Sequence, residues 1–353
     1  MKKTCVITAS HYVLPANELT NEDLFERFGE KKVQSISKLS GISARRVAPE
    51  NVTSVDLASA AAERMLESEN ISRDDFDMLI FITQTPDYIL PGAAFVTHER
   101  LKFPESCGAF DINLGCSAMP YGLAVANSMI VSGQCKKILL VYSDTVTKLV
   151  NPKDRSLVTL HGDGAAVFVL EASDDADTGI EFCDVKAQAA GWKHLIVPAG
   201  GARLPHSEET AKDKEDDFGI ICSQNNLQMN GAAVFHFSIS TIPNEIKKSL
   251  EKHSKNIGDY DMVILHQANK SMVEQIYRAI GATEEQKFYF MEKVGNLSVA
   301  SSPVVLAQAL RQGKLDAGGY VLGAAFGVGL SWGVFSIKFK PNSVKASQAS
   351  TDY

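Results

Sequence analysis

Two pieces of this chain occur twice at nearly one offset, and that limits the folds open to it. Asp75-Phe-Asp-Met-Leu-Ile80 returns 184 positions later as Asp259-Tyr-Asp-Met-Val-Ile264. Asn113-Leu, five residues, Pro120 returns 183 positions later as Asn296-Leu, five residues, Pro303. Each copy of the first piece reads as the start of a buried strand, and each copy of the second as the entry to a helix of small residues. At 353 residues the chain is long enough for two cores. A duplicated α/β unit follows, with two parallel-rich sheets and helices on their faces. The halves are expected at 1–175 and 176–340, with residues 341–353 as a disordered tail.

Within the first copy, Phe110 to Gly133 reads FDINLGCSAMPYGLAVANSMIVSG: a strand end, a turn at 113–115, then a helix stopped at Gly133. Cys116 sits at the join, in the expected first turn of a buried helix. There the unpaired N–H groups and the dipole favour a thiolate. The dipole, at about 0.3–1 kcal/mol, would lower a thiol pKa of about 8.5 by roughly one unit. Such a nucleophile still needs a base, usually a histidine. The alternative is that Cys116 is a small buried residue at a strand–helix junction. His266 follows an apolar strand in the second copy, and Asn296 precedes a helix. Each has a purely structural use as well, Asn296 as a helix cap. Pseudo-twofold symmetry would bring these strand and helix ends together.

Elsewhere the pattern predicts a strand over 5–15, an amphipathic helix over 18–28, a polar stretch over 30–47 that ends in a turn with two arginines, and a helix within 229–249 interrupted or re-started at Pro243. The charged stretch 203–218 reads as a surface loop, and 320–339 as two strands joined by glycines. With a formal charge of −7, the chain is not expected to bind nucleic acid or an anionic membrane. No run approaches 18 apolar residues, and the first ten residues are too short and polar for a signal peptide. The six cysteines show no CxxC pair and no metal-ligand spacing. They are expected to be reduced, in a cytoplasmic protein without a metal site.

Five segments together resemble the β-ketoacyl-acyl-carrier-protein synthase III family of the thiolase superfamily. They are DINLGCSA around Cys116, HGDGAA at 161–166, HQAN at 266–269, VGNLSVASSP at 294–303 and AFGVGLSWG at 325–333. The resemblance implies a thiolase-like duplicated αβαβα five-layer fold and a homodimer. It implies that Cys116 accepts an acyl group, with His266 and Asn296 as its partners. The oxyanion donors would be the N–H groups of Cys116 and Val328, a valine where the family usually has glycine. The implied reaction is acyl transfer from a coenzyme A or carrier-protein thioester to Cys116. Decarboxylative Claisen condensation with a malonyl thioester, expected as malonyl-carrier protein, follows. No cofactor is implied.

Departures matter as much. The Trp and Arg that commonly sandwich adenine before the TGI turn are replaced by Ser35 and Leu39, ahead of Ser40-Gly-Ile42. That favours a donor other than a simple coenzyme A thioester bound in the usual way. An expected docking arginine is Ser271, with Lys270 beside it and Arg278 further on as candidate contacts for an acidic carrier protein. Leu90, on the loop ahead of Pro91, and Met119 are the expected acyl-pocket residues, with Met229 nearby. A second function on this scaffold is acyl transfer from Cys116 to an alcohol or amine, which does not need Asn296. A hydroxymethylglutaryl-CoA synthase would need a carboxylate where Gln84 stands.

Overall fold

The structure, a computed structural model, describes residues 3–346. Its two principal sheets correspond to the two copies. The first runs in the order 345–346, Thr4–Val13, Gly164–Ser173, Lys137–Asp144, Met78–Thr83, Gly108–Asn113. The second runs Met262–Leu265, Gly319–Gly327, Ser331–Phe339, Gly179–Ala187. The repeated Asp-x-Asp-Met piece does the same work in both. A single helical turn (73–75, 257–259) leads into a strand that pairs in parallel with the next strand of its sheet. The carboxylates of Asp77 and Asp261 then accept N–H groups at the start of that neighbouring strand, from Lys137 (3.0 Å) and Tyr320 (2.8 Å).

These strands are apolar along their length because both faces are covered. Ile80 and Ile82 point into one core with Leu140, while Leu79 and Phe81 point into another with Leu139 and Val141. The shared central core holds the helices Ala118–Val131 and Ser301–Arg311 between the two sheets. Helices Ser54–Ser68 and Ala93–Arg100 cover the outer face of the first sheet, and Gly231–Lys252 with Lys270–Ile280 the outer face of the second. The result is five layers, α, β, α, β, α, as the resemblance implies.

Small residues let the helix that follows Cys116 fit between two sheets. A Cβ on Gly122 would come within 2.4 Å of the Ile82 Cδ1 and 2.6 Å of the Tyr142 hydroxyl oxygen. Gly122→Val should therefore destabilise the fold by about 1–3 kcal/mol through overpacking. The midpoint of denaturant unfolding checks this, and an unchanged midpoint would disprove the tight contact.

Several local expectations are corrected. Residues 18–28 are not one helix but a strand, Glu18–Thr20, a single 3-10 turn and one helical turn. The polar stretch 30–47 begins with the helix Glu30–Ser40, closed by Gly41 in the left-handed region at φ +70°, and its two arginines lie in a short strand, Ala44–Arg46, rather than in a turn. Pro243 lies inside an uninterrupted helix, Gly231–Lys252. The tail expected to be disordered from 341 is ordered through Ala346, where Lys345 and Ala346 pair in parallel with Ala9 and Ser10. The rest of that tail lies outside the described residues. Among the described residues, no helix is long and apolar enough to cross a membrane.

Candidate active site

Cys116 follows the strand Gly108–Asn113 by a short turn in which Ala118 N–H bonds to Gly115 O. The helix begins only at Ala118, with Ser117 at its N-cap position, so Cys116 stands just before it rather than within its first turn. Gly327, on the loop that ends the strand Gly319–Gly327, lies against the cysteine. A Cβ there would fall 2.6 Å from the Cys116 Cβ, and φ is +157°. This close approach brings the next residue, Val328, to the sulfur. The backbone N–H groups of Cys116 and Val328 both act on Sγ, each favouring the thiolate. Val328 has no positive φ, so its side chain is accommodated.

His266 follows directly on the strand Met262–Leu265, and its N–H bonds to Ala324 O of the adjacent strand at 2.9 Å. The remainder of HQAN is scaffolding. Gln267 donates to Leu265 O and accepts from Phe290 N–H. Asn269 caps the helix Lys270–Ile280 by accepting Met272 N–H at 2.9 Å. The His266 ring meets Phe326 edge-on at 5.7 Å. Asn296 is not its helix's cap. Its backbone pairs with His161, and its Oδ1 accepts from Ser298 N–H (3.0 Å) and Ser301 Oγ (3.1 Å). With the acceptor end so occupied, the amide NH2 is the end left for a ligand.

Cys116, His266 and Asn296 line one cavity of about 180 Å³, ample for an acyl chain rather than a single water. Val328 and Met229 are also in its wall. Met119 is not. It is buried in the central core, where its carbonyl accepts the Tyr142 hydroxyl, because the helix turns it away from the cysteine. Leu90 is 84% exposed on the surface and does not line this chain's cavity. Lys270 and Arg278 are both exposed on one helix.

The electrostatics differ from the expectation. Burial pushes the Cys116 thiol up to about 11, outweighing Ser298 and the two backbone N–H groups; Asp144 raises it further. Burial, and then His161, holds His266 down at about 3. At neutral pH the pair is therefore thiol and imidazole, not thiolate and imidazolium. Alkylation of Cys116 by iodoacetamide should accelerate about tenfold per pH unit from roughly pH 7 to 10, without levelling off. A plateau below pH 8 would show an ion pair instead.

Three cavity residues were missed. Gln84 and Ser298 are joined, Gln84 Nε2 donating to Ser298 Oγ at 2.8 Å, and Ser298 Oγ lies 4.0 Å from Cys116 Sγ. His161 is the third. Behind them the buried carboxylate of Asp144 accepts from Thr83 Oγ1 (2.9 Å), Gln84 N–H (2.9 Å) and Thr85 Oγ1 (3.0 Å). Its position at the carboxyl end of a buried strand was the available signal, since sites in open α/β sheets collect there. Ser298 is left-handed at φ +51°, which no sequence pattern announces.

Two stacked α/β halves closing on a buried cysteine, histidine and asparagine define the thiolase-like class of condensing enzymes. Sequence profiles described as 3-oxoacyl-[acyl-carrier-protein] synthase III and its C-terminal part match residues 110–191 and 250–339. The β-ketoacyl-[acyl-carrier-protein] synthase III of Caldanaerobacter subterraneus is 34% identical over 92% of this chain and 95% of its own length. That of Natranaerobius thermophilus is 34% identical over 94% and 98%. A crystal structure of 3-oxoacyl-(acyl-carrier protein) synthase from Burkholderia xenovorans superposes with a TM-score of 0.90 at 30% identity, covering 99% of this chain and 98% of that one. The chain belongs to the 3-oxoacyl-[acyl-carrier-protein] synthase III family, and it is an acyltransferase of the ketoacyl-synthase type.

Proposed function

We propose that Cys116 takes an acyl group from a thioester, and that this group is then condensed with the enolate of a malonyl thioester carried by acyl carrier protein. The observation that carries the reading is the convergence of Cys116, His266 and Asn296 on one buried cavity, with the N–H groups of Cys116 and Val328 at the sulfur. In the first step the sulfur bonds to the thioester carbonyl carbon and the donor thiol leaves with the cysteine proton. The two N–H groups hold the oxyanion between. In the second, the malonyl group loses CO2 and the bonding electrons pass to its thioester oxygen, which His266 and Asn296 stabilise as an enolate. The enolate carbon attacks the acyl carbonyl, and the Cys116 thiolate departs.

Acyl transfer to an alcohol or amine is the weaker reading. Asn296 presents its amide donor in the cavity, and that reaction has no use for it.

The donor and partners follow from the surface. Leu39 is 64% exposed and Ser35 exposed on the helix Glu30–Ser40, which packs against Lys270–Ile280. They offer no flat cation or ring for adenine, so a carrier-protein donor is favoured over acyl-CoA. Lys31, Lys32 and Lys38 on the first helix join Lys270 and Arg278 on the second as exposed cations for an acidic carrier. Tyr88, Ile89, Leu90 and Phe95 are exposed apolar side chains close in sequence to the free edge strand Gly108–Asn113. They support a homodimer in which Leu90 of one chain reaches the other's cavity.

Incubating the enzyme with matched acyl-CoA and acyl-carrier-protein donors, then malonyl-carrier protein, should yield a ketoacyl product, faster from the carrier donor. Lys270→Glu should raise KM for carrier-borne substrates several-fold and leave kcat alone. Acylation without any ketoacyl product would favour the simple acyltransferase. Sedimentation at a monomer mass would remove the dimer.

A further inference from the structure

We propose that His161 recognises a hydrogen-bond donor on the acyl group, so that the cavity is built for an acyl chain bearing a hydroxyl rather than for a plain alkyl chain. This rests on the reading that the cavity beside Cys116 holds the acyl group.

His161 is 6% exposed and forms part of the cavity wall. Its Nδ1 lies 3.3 Å from the backbone oxygen of Asn296. A carbonyl oxygen can only accept, so Nδ1 carries the proton. Burial holds the ring down at about 4, so it is neutral and its distal nitrogen, Nε2, is a bare acceptor. Among the described residues nothing donates to that nitrogen. Buried acceptors without a donor are uncommon, because losing water without a replacement costs free energy.

Gln84 repeats the pattern independently. Its Nε2 donates to Ser298 Oγ at 2.8 Å. Its Oε1 receives no hydrogen bond from any described residue, and the residue lines the same cavity. Besides the donors of His266 and Asn296, the wall thus presents two acceptors, alongside apolar residues such as Leu195, Leu227, Met229 and Phe235. Among the described residues lining it there is no Asp, Glu, Lys or Arg. An ammonium group or a carboxylate would be buried there without a counter-charge. A hydroxyl supplies a neutral donor and is small enough to sit on an acyl chain.

The test separates binding from acylation. Acyl-pantetheine amides of equal length are prepared, plain or with a hydroxyl on the first, second or third carbon past the carbonyl. Their affinities are measured by calorimetry on Cys116→Ala protein, with and without His161→Phe or His161→Gln. At least one hydroxylated ligand should bind about tenfold or more tighter than the plain one. His161→Phe should erase that preference while leaving the plain ligand within about threefold. His161→Gln, which keeps an acceptor, should retain part of it. Equal binding of plain and hydroxylated ligands, as when a water already satisfies Nε2, would overturn the proposal, as would a preference that survives His161→Phe. Because no acyl transfer is involved, a cysteine that never acylates would sink the reading of Cys116 and leave this result standing.

Discussion

Cys116→Ala should abolish the acyl adduct seen by intact-protein mass and lower ketoacyl formation by at least about 10⁴-fold, the scale of removing a catalytic nucleophile. Five other cysteines cannot substitute for it. Cys5, Cys107 and Cys135 are buried outside the cavity, and Cys183 and Cys222 are not in its wall either. Burial raises the thiols of Cys5, Cys107 and Cys135 as it raises Cys116, so what sets Cys116 apart is its place in the cavity wall with two backbone N–H groups at its sulfur. The variant is nevertheless expected to retain decarboxylation of a malonyl thioester. His266 and Asn296 are held by their own backbone and by Ser298 and Ser301, not by the cysteine. An acyl adduct persisting on the alanine protein would place the nucleophile elsewhere. Loss of decarboxylation together with acylation would show that the cysteine also positions the second substrate.

The thiol's raised pKa is compatible with this role. A thiolate preformed in a buried site would carry an unpaired charge, since His266 is itself held neutral by burial. A neutral thiol loses its proton only as the thioester arrives and the departing thiol needs one. The two N–H groups at Sγ cannot reverse the cost of burial in the free enzyme. They are placed to matter when an oxyanion forms beside them.

What the sequence disclosed and what it hid divide along physical lines. The strands of both halves were legible because they are buried on two faces, so their apolar runs are unbroken and bounded by turns. The duplicated Asp-x-Asp-Met piece was legible because the same carboxylate bonds recur at Asp77 and Asp261. Cys116, His266 and Asn296 were found through the motifs around them. The tail pairing at Lys345–Ala346 was hidden because two residues of edge strand carry no period. Met119 was misplaced because residues three apart share a face only when both are helical, and Cys116 lies ahead of the helix that starts at Ala118. Ser298, Gln84 and Asp144 were missed because their importance comes from meeting across the two halves. The sign of the thiol shift was missed because a helix end is local and visible in sequence, whereas burial is the sum of both halves packed round the sulfur.

His266→Ala and Asn296→Ala should each lower condensation by about 10²–10³, the typical cost of one donor at a developing oxyanion, while leaving acylation of Cys116 nearly intact. The argument turns on the protonation state of His266. Held near 3, it is neutral across the working range, and in the proposed mechanism it serves as an uncharged hydrogen-bond donor. Its Nδ1 has no partner among the described residues, so the wall permits the tautomer that carries the proton on Nε2. Asn296 supplies the second donor with no proton chemistry, because Ser298 and Ser301 hold its oxygen and leave its NH2 end free. Two donors on one oxygen act together, so the double variant should lose less than the product of the single losses. Single-turnover acylation and malonyl decarboxylation, measured separately on each variant, distinguish the roles. If His266→Ala slows acylation as much as condensation, the histidine is the base for Cys116 and its neutral-donor role fails. If Asn296→Ala leaves decarboxylation unchanged, the asparagine only shapes the wall, and plain acyl transfer becomes the better account of this cavity.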